Sequence, residues 1–219
     1  MADFFDNYEL LKDPDLHLRL GGSLSLSLAP EVLERKRRYT ECMEKLIDSA
    51  EFPKDAIPSA DERREESMSE LRESFLVTTL AYLEDLSVSA CEDLAVMLEV
   101  ELRPSDLADR GGFERTRKFL AKVILEESPT APTWQKLVAY KTLRHHLAHK
   151  GHIWIDETDE KARQKLSNII GLNFDEYGGG QLSELFCPAF MAFADTYVAE
   201  LSNVAKRVAD RASRFRKNT

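Results

Sequence analysis

The sequence predicts an all-α protein, a helical bundle that carries a small β-hairpin near its N-terminus. Apolar residues that recur every three or four positions through most of the chain after Pro30 predict the bundle. Leucines that alternate with polar residues on both sides of a glycine pair, in residues 16–28, predict the hairpin. The chain has only 9 Gly and 8 Pro among 219 residues, which excludes a collagen-like or low-complexity protein.

Charge and cysteine content limit the classes of function. The chain has 30 Lys and Arg against 39 Asp and Glu, a net charge of −9. This balance argues against coating nucleic acid with the whole surface, because such binding needs many cationic phosphate contacts. Three distant cysteines without a CxxC pair indicate free thiols in a reducing compartment. An acidic N-terminus and the lack of a membrane-spanning apolar run predict a soluble, cytoplasmic protein that does not bind membranes.

The turn length of the predicted hairpin decides which faces its leucines occupy. A two-residue turn would put the leucines of the two strands on opposite faces. A three-residue turn at residues 21–23 pairs Leu20 with Leu24 and gathers all of the leucines on one face. We therefore predict the three-residue turn.

Helical segments follow the hairpin in order. The first begins at Pro30, which suits a first helical position, and ends near Ala50. Ser59 and Glu62 have the spacing of a capping box, and a long helix follows them and ends before Pro104. Further helices are predicted for residues 113–125, 133–149, 161–170 and 188–213, with an extended segment at 153–155 and a glycine loop at 178–180.

These elements divide the chain into two predicted parts. Residues 1–55 form an N-terminal extension, in which the hairpin and the first helix pack on the bundle, and residues 56–219 form the helical domain. The domain ends in a basic segment, Lys206–Lys217. Such a segment is typical of a solvated helix end, and it is also a candidate contact for RNA or an acidic partner.

The placement of histidines points to a candidate site. Four of the five histidines lie within eight residues, at His145, His146, His149 and His152. Residues 128–155 contain no Asp or Glu, although acids outnumber bases in the whole chain. A basic stretch without acids in an acidic protein predicts an anion site, and phosphate is the leading candidate.

Arg144 lies near the middle of the apolar arc of the predicted helix 133–149. An always-charged guanidinium at such a position requires a carboxylate, a bound anion or another subunit. His149 lies about 140° further around an ideal helix, so one rigid helix cannot aim both side chains at one small target. Either the last turn of the helix unwinds, or two copies of the helix meet. The second arrangement predicts a homodimer.

The spacing Arg144-x4-His149, on a late helix that is followed by another amphipathic helix, resembles the R-x4-6-H motif of the HEPN superfamily. The resemblance covers about residues 62–213. In that family a polar residue, most often Asn, follows the Arg, and this position is His145 here. A subgroup extends the motif to R-x4-H-x-Y, but Gly151 stands at the tyrosine position, so modification there is not expected.

The resemblance implies a HEPN-like dimeric endoribonuclease that uses no metal or other cofactor. It implies a toxin or phage-defence effector, with RNA as its substrate and an antitoxin or regulatory protein as a further partner. It assigns His149 to proton transfer, Arg144 to the phosphate and, as an accessory donor, His145. These residue types suit the chemistry, since histidine moves protons near neutral pH and arginine offers a planar set of donors to phosphate oxygens.

Simpler explanations exist for each of these residues. Arg144 is also explained by a buried ion pair with Glu84 or Asp85, and His149 by the dipole at a helix C-terminus. A zinc site at His145 and His149 is a third explanation, weakened because there is no intervening Glu and no nearby Cys. The alternative function is a HEPN-like dimerisation or partner-binding module that no longer cuts RNA.

Overall fold

A computed structural model of the protein describes residues 23–51, 59–108, 111–156 and 159–217. These residues are mostly helical, which confirms the predicted predominance of helix. The α-helices are α1 (Leu24–Ser49), α2 (Ala60–Met97), α3 (Gly112–Phe119), α4 (Ala131–Lys150), α5 (Glu160–Leu166) and α6 (Phe186–Lys217). A 3₁₀ turn at Pro104–Asp106 precedes α3, and a π-helical turn at Leu120–Ile124 follows it. In the part of the chain described, no helix is both long enough and apolar enough to cross a bilayer.

The hairpin predicted for residues 16–28 is wrong, because its second strand forms the first turn of α1. Residues 16–22 lie outside the described part of the chain. Ser23 caps the helix, since its Oγ accepts a hydrogen bond from the backbone N–H of Leu26 at 3.2 Å. The Ser23 hydroxyl in turn donates to the carboxylate of Asp93 on α2 at 2.7 Å. A contact with a residue 70 positions away therefore specifies where the helix begins.

Burial along α1 follows a helical period rather than an alternating one. Leu26, Ala29 and Leu33 are buried at spacings of three and four residues, whereas Leu28 is 54% exposed. Pro30 lies inside α1 and not at its first position, so the helix begins six residues before the predicted start. The leucines thus pack as a helical stripe, in keeping with the high helix propensity of leucine.

The other helices follow the predictions more closely. The capping box at the start of α2 is confirmed, because the Ser59 N–H donates to the Glu62 carboxylate at 2.7 Å and the Glu62 N–H donates to Ser59 Oγ at 3.3 Å. These hydrogen bonds lower the pKa of Glu62. Helix α2 then continues unbroken to Met97. Helix α5 is shorter than predicted, ending at Leu166.

A three-stranded antiparallel sheet follows α4 in the chain. Its strands have the spatial order β1-β3-β2, with bounds β1 (Ile153–Trp154), β2 (Leu172–Phe174) and β3 (Gly179–Leu182). The extended segment predicted at 153–155 is confirmed in its first two residues. The predicted glycine loop is wrong for Gly179 and Gly180, which belong to β3. A Cβ at Gly180 would collide with the side chain of Ile153, its partner across the sheet, so glycine permits the strands to pair.

The chain divides into two compact units. The first consists of the described residues within Met1–Glu31, Tyr82–Thr133 and Asp195–Thr219, and the second of those within Val32–Ala81 and Trp134–Ala194. The second unit contains the sheet and all of the predicted site residues. Each unit has its own buried aromatic residues.

In the first unit, Tyr197 of α6 is fully buried, with its hydroxyl 2.7 Å from that of Ser87 on α2. Burial raises the pKa of Tyr197. Glu200, also on α6, accepts hydrogen bonds from the backbone N–H of Thr130 at 2.7 Å and from the hydroxyl of Thr133 at 2.7 Å. These bonds fix the N-terminal end of α4, where backbone N–H groups have no partner within the helix.

In the second unit, the core is an aromatic cluster around Phe190 of α6, which is fully buried. Its ring centroid lies 4.7 Å from that of Tyr140 on α4 and 6.0 Å from that of Phe75 on α2. The rings of Phe186 and Phe193 stack on it at 5.8 and 6.1 Å. Because Tyr140 lies four residues before Arg144 on the same helix, this cluster sets the position of the candidate site.

Candidate functional site

The predicted site residues lie on the last two turns of α4. The helix continues through Lys150, so its last turn does not unwind. On a continuous α-helix, positions 144 and 149 lie about 140° apart around the axis. Unwinding of the last turn is therefore not observed, and the meeting of two helix copies stays a prediction.

His145 and His149 lie side by side on α4. Their ring centroids are 4.3 Å apart, with the ring planes inclined by 54°. Both side chains are exposed, whereas His146, whose ring lies 6.3 Å from that of His145, is half-buried. Residues four apart on a helix are neighbours, so the spacing of the two histidines predicts this contact. The structure thus brings together two accessible imidazoles, each able to give or take a proton.

Arg144 is half-buried on α4, flanked in sequence by the buried Leu143 and Leu147. This position agrees with the apolar arc predicted for the helix. The ion pair of Arg144 with Glu84 or Asp85 stays a prediction. Glu84 also accepts a hydrogen bond from the Gly112 backbone N–H at 2.6 Å, at the start of α3. A partly desolvated guanidinium is stabilised by a nearby anion, because the attraction offsets the lost hydration.

Glu73 on α2 is an acidic residue near the end of α4, and the sequence pattern did not predict it there. Its side chain is half-buried, and burial raises the pKa of its carboxyl group. Ser69, whose hydroxyl donates at 3.5 Å, and the nearby charge of His152 both act in the opposite direction. Glu73 and His152 are far apart in the sequence, so only the folded chain brings this carboxyl group close to the end of α4.

The raised pKa of Glu73 predicts a pH-dependent effect of Glu73→Gln. The folded protein holds the proton more tightly than the unfolded chain, whose carboxyl group ionises near 4.5. The stability that neutral Glu73 contributes is therefore lost as the pH rises from 4.5 through the raised pKa of the folded state. We expect the free energy of unfolding of Glu73→Gln, relative to wild type, to increase between about pH 4 and about pH 7.

Urea unfolding at both pH values measures this change. The exposed Glu66 lies on the same helix, and Glu66→Gln controls for the loss of a negative charge. A difference between Glu73→Gln and wild type that is the same at both pH values would contradict the prediction.

The histidine pair does not complete a metal site with the other side chains that the structure describes. Among the residues that the structure describes, no cluster of three or more His, Cys, Asp and Glu side chains could hold a metal ion. Zinc sites take at least three protein ligands, so His145 and His149 form at most part of one. The three cysteines are free thiols, as predicted. Burial raises the pKa of both Cys91 and Cys187 to about 12, which leaves neither thiol a ready nucleophile at neutral pH.

The basic C-terminal segment belongs to α6 and lines a surface cavity of about 440 Å³ in the first unit. Arg207 and Arg211 both contact the Glu126 carboxylate, at 2.8 and 3.5 Å. This carboxylate offsets part of their charge. The arrangement is that of a helix end tied to the loop that precedes α4.

Comparison of the chain with protein-family models, with curated proteins and with solved structures found no match. The resemblance to the HEPN superfamily therefore depends on the R-x4-H spacing and on its helical context. The geometry that bears on function is that of the histidine pair and of Arg144 on the same helix.

Proposed function

We propose that this protein is a metal-independent, HEPN-like endoribonuclease that cleaves RNA by 2′-OH transesterification and acts as a homodimer. The observation that supports this most directly is the pair of exposed imidazoles with ring centroids 4.3 Å apart at the end of α4. The reaction needs one group that removes a proton and another that donates one, and histidine can do either near neutral pH. Residues 128–155 contribute no carboxylate that would repel the phosphate.

In the proposed reaction, the 2′-oxygen of one nucleotide attacks the adjacent phosphorus, and the bond from phosphorus to the 5′-oxygen of the next nucleotide breaks. His149 and His145 share the two proton transfers. One imidazole takes the proton of the 2′-OH, and the other gives a proton to the departing 5′-oxygen. The products are a 2′,3′-cyclic phosphate and a free 5′-OH end.

Arg144 binds the phosphoryl oxygens, whose negative charge increases in the transition state. Because Arg144 and His149 are about 140° apart on one helix, the arginine that serves a given imidazole pair comes from a second copy of the chain. A twofold axis beside the C-terminal half of α4 creates two identical sites, each with histidines from one protomer and Arg144 from its partner.

The resemblance to HEPN proteins extends the proposal to a biological role. It implies a toxin or phage-defence effector in the cytoplasm, held in check by an antitoxin or another regulatory protein. A HEPN-like module that dimerises or binds a partner without cutting RNA is the alternative, and it predicts no cleavage.

The test is cleavage of an end-labelled, single-stranded RNA in excess EDTA. We expect cleavage that leaves cyclic phosphate ends. The same sequence with deoxyribose throughout should remain intact, because it has no 2′-OH to attack. Cleavage of the deoxy substrate, or cleavage only with added metal, would rule out the proposed reaction, and an inert protein would support the binding module. The inactive variants described in the Discussion, purified identically, exclude contaminating nucleases.

A further inference from the structure

Trp154 has an exposed indole on the strand that follows α4. Its neighbours Ile153 and Ile155 are 1% and 0% exposed, whereas Trp154 is 39% exposed. Successive side chains of a strand point to opposite faces, so burial of the two isoleucines turns the indole outward. Gly179 of β3 lies opposite Trp154 and has no side chain that could cover the indole.

A second exposed aromatic residue lies in the same small sheet. Tyr177, in the turn between β2 and β3, is 67% exposed. The Asp175 carboxylate fixes this turn by accepting the backbone N–H groups of Tyr177 at 2.8 Å and Gly179 at 2.7 Å. The sheet thus presents aromatic side chains from β1 and from the turn that leads into β3.

Trp154 is also close to the histidine pair along the chain. The ring of His152 lies 6.4 Å from that of Trp154, at an interplanar angle of 75°. Five residues of chain limit the Cα–Cα distance between His149 and Trp154 to about 18 Å. Stacked bases of a nucleic-acid strand lie about 3.4 Å apart. A base within about five nucleotides of a phosphate at the histidine pair can therefore reach the indole.

We infer that Trp154 stacks on an unpaired base of the RNA whose phosphodiester lies at His145 and His149. This inference rests on the proposed function and makes single-stranded RNA the substrate class. Stacking on an aromatic side chain accepts every base, so the site selects unpaired RNA rather than a particular sequence. A base inside a duplex is already stacked between its neighbours and cannot present its face to the indole.

A 2′-O-methyl oligoribonucleotide separates binding from cleavage, because it has no free 2′-OH. We expect Trp154→Ala to weaken its binding about tenfold, as measured by fluorescence anisotropy, since one stacking contact is lost. Trp154→Phe retains an aromatic face and should bind nearly as wild type does. Tyr39, which is 64% exposed on α1, supplies the matched control Tyr39→Ala, for which we expect no change. The matching duplex should bind wild type, Trp154→Phe and Tyr39→Ala much more weakly than the single strand does, and Trp154→Ala should lose most of this preference.

Equal binding of the oligonucleotide by wild type and Trp154→Ala, or equal binding of the duplex and the single strand by wild type, would overturn the inference. A second measurement does not require Trp154→Ala to fold. The chain has 2 Trp, so in Trp134→Phe all tryptophan emission comes from Trp154. Quenching of this emission by the oligonucleotide supports stacking, and unchanged emission on binding contradicts it.

The two proposals fail in different ways. If Trp154→Ala weakens binding but the wild-type protein cleaves no RNA, stacking stands and the nuclease proposal falls. If cleavage depends on His149 but Trp154→Ala binds and cleaves as wild type does, the nuclease stands and the stacking site is wrong.

Discussion

Arg144→Ala and His149→Ala should each slow EDTA-resistant RNA cleavage by about 10²–10⁴-fold, because one loses the charge on the phosphate and the other a proton-transfer group. We expect a loss in the same range for His145→Ala, whose ring lies 4.3 Å from that of His149. Single-turnover rates with end-labelled RNA measure these effects. Lys136→Ala, at an exposed lysine of the same helix, controls for loss of positive charge, and His146→Asn controls for loss of an imidazole. Full activity in Arg144→Ala or His149→Ala would contradict the catalytic role proposed for that residue.

Mixed dimers provide a stricter test of where the two side chains meet. A dimer of one Arg144→Ala chain and one His149→Ala chain has one intact site if each site takes its arginine and histidine from different protomers. Random assembly from equal amounts makes about half of the dimers mixed, so coexpression should restore about a quarter of wild-type activity. Coexpressed chains that stay inactive would show that the two residues do not complement each other across a dimer.

Phe190→Ala should lower the free energy of unfolding by about 3–5 kcal/mol, which is the usual effect of truncating a fully buried aromatic residue. The large effect is expected because Phe190 is 0% exposed and contacts four other aromatic rings. The substitution removes apolar contacts and leaves a cavity between α2, α4 and α6 within the second unit. Urea unfolding followed by circular dichroism measures the loss.

Phe190→Leu is the matched control, because it keeps an apolar side chain and leaves a smaller cavity. We expect it to destabilise the protein clearly less than Phe190→Ala. Phe215 is 71% exposed, and Phe215→Ala should change the stability by at most about 0.5 kcal/mol. A loss for Phe190→Ala no larger than that for Phe215→Ala would contradict a core centred on Phe190.

Local patterns in the sequence determined most of the helical architecture and the contact at the candidate site. The sequence could predict the capping box at Ser59 because both of its hydrogen bonds join residues three positions apart. The sequence could likewise predict that His145 and His149 are neighbours, because a helix repeats about every 3.6 residues. Both features depend on interactions within one helix, so neither requires knowledge of distant parts of the chain.

Tertiary structure alone decided the features that depend on distant residues. Leu26 lies in a helix whose start is specified by Asp93, and Gly180 pairs in a strand because Ile153 occupies the space beside it. Glu73 lies near His152, a residue far along the chain, and the exposure of Trp154 follows from how its strand packs. Local spacing determines which side chains share one helix face, whereas burial and pairing depend on what the fold brings against that face.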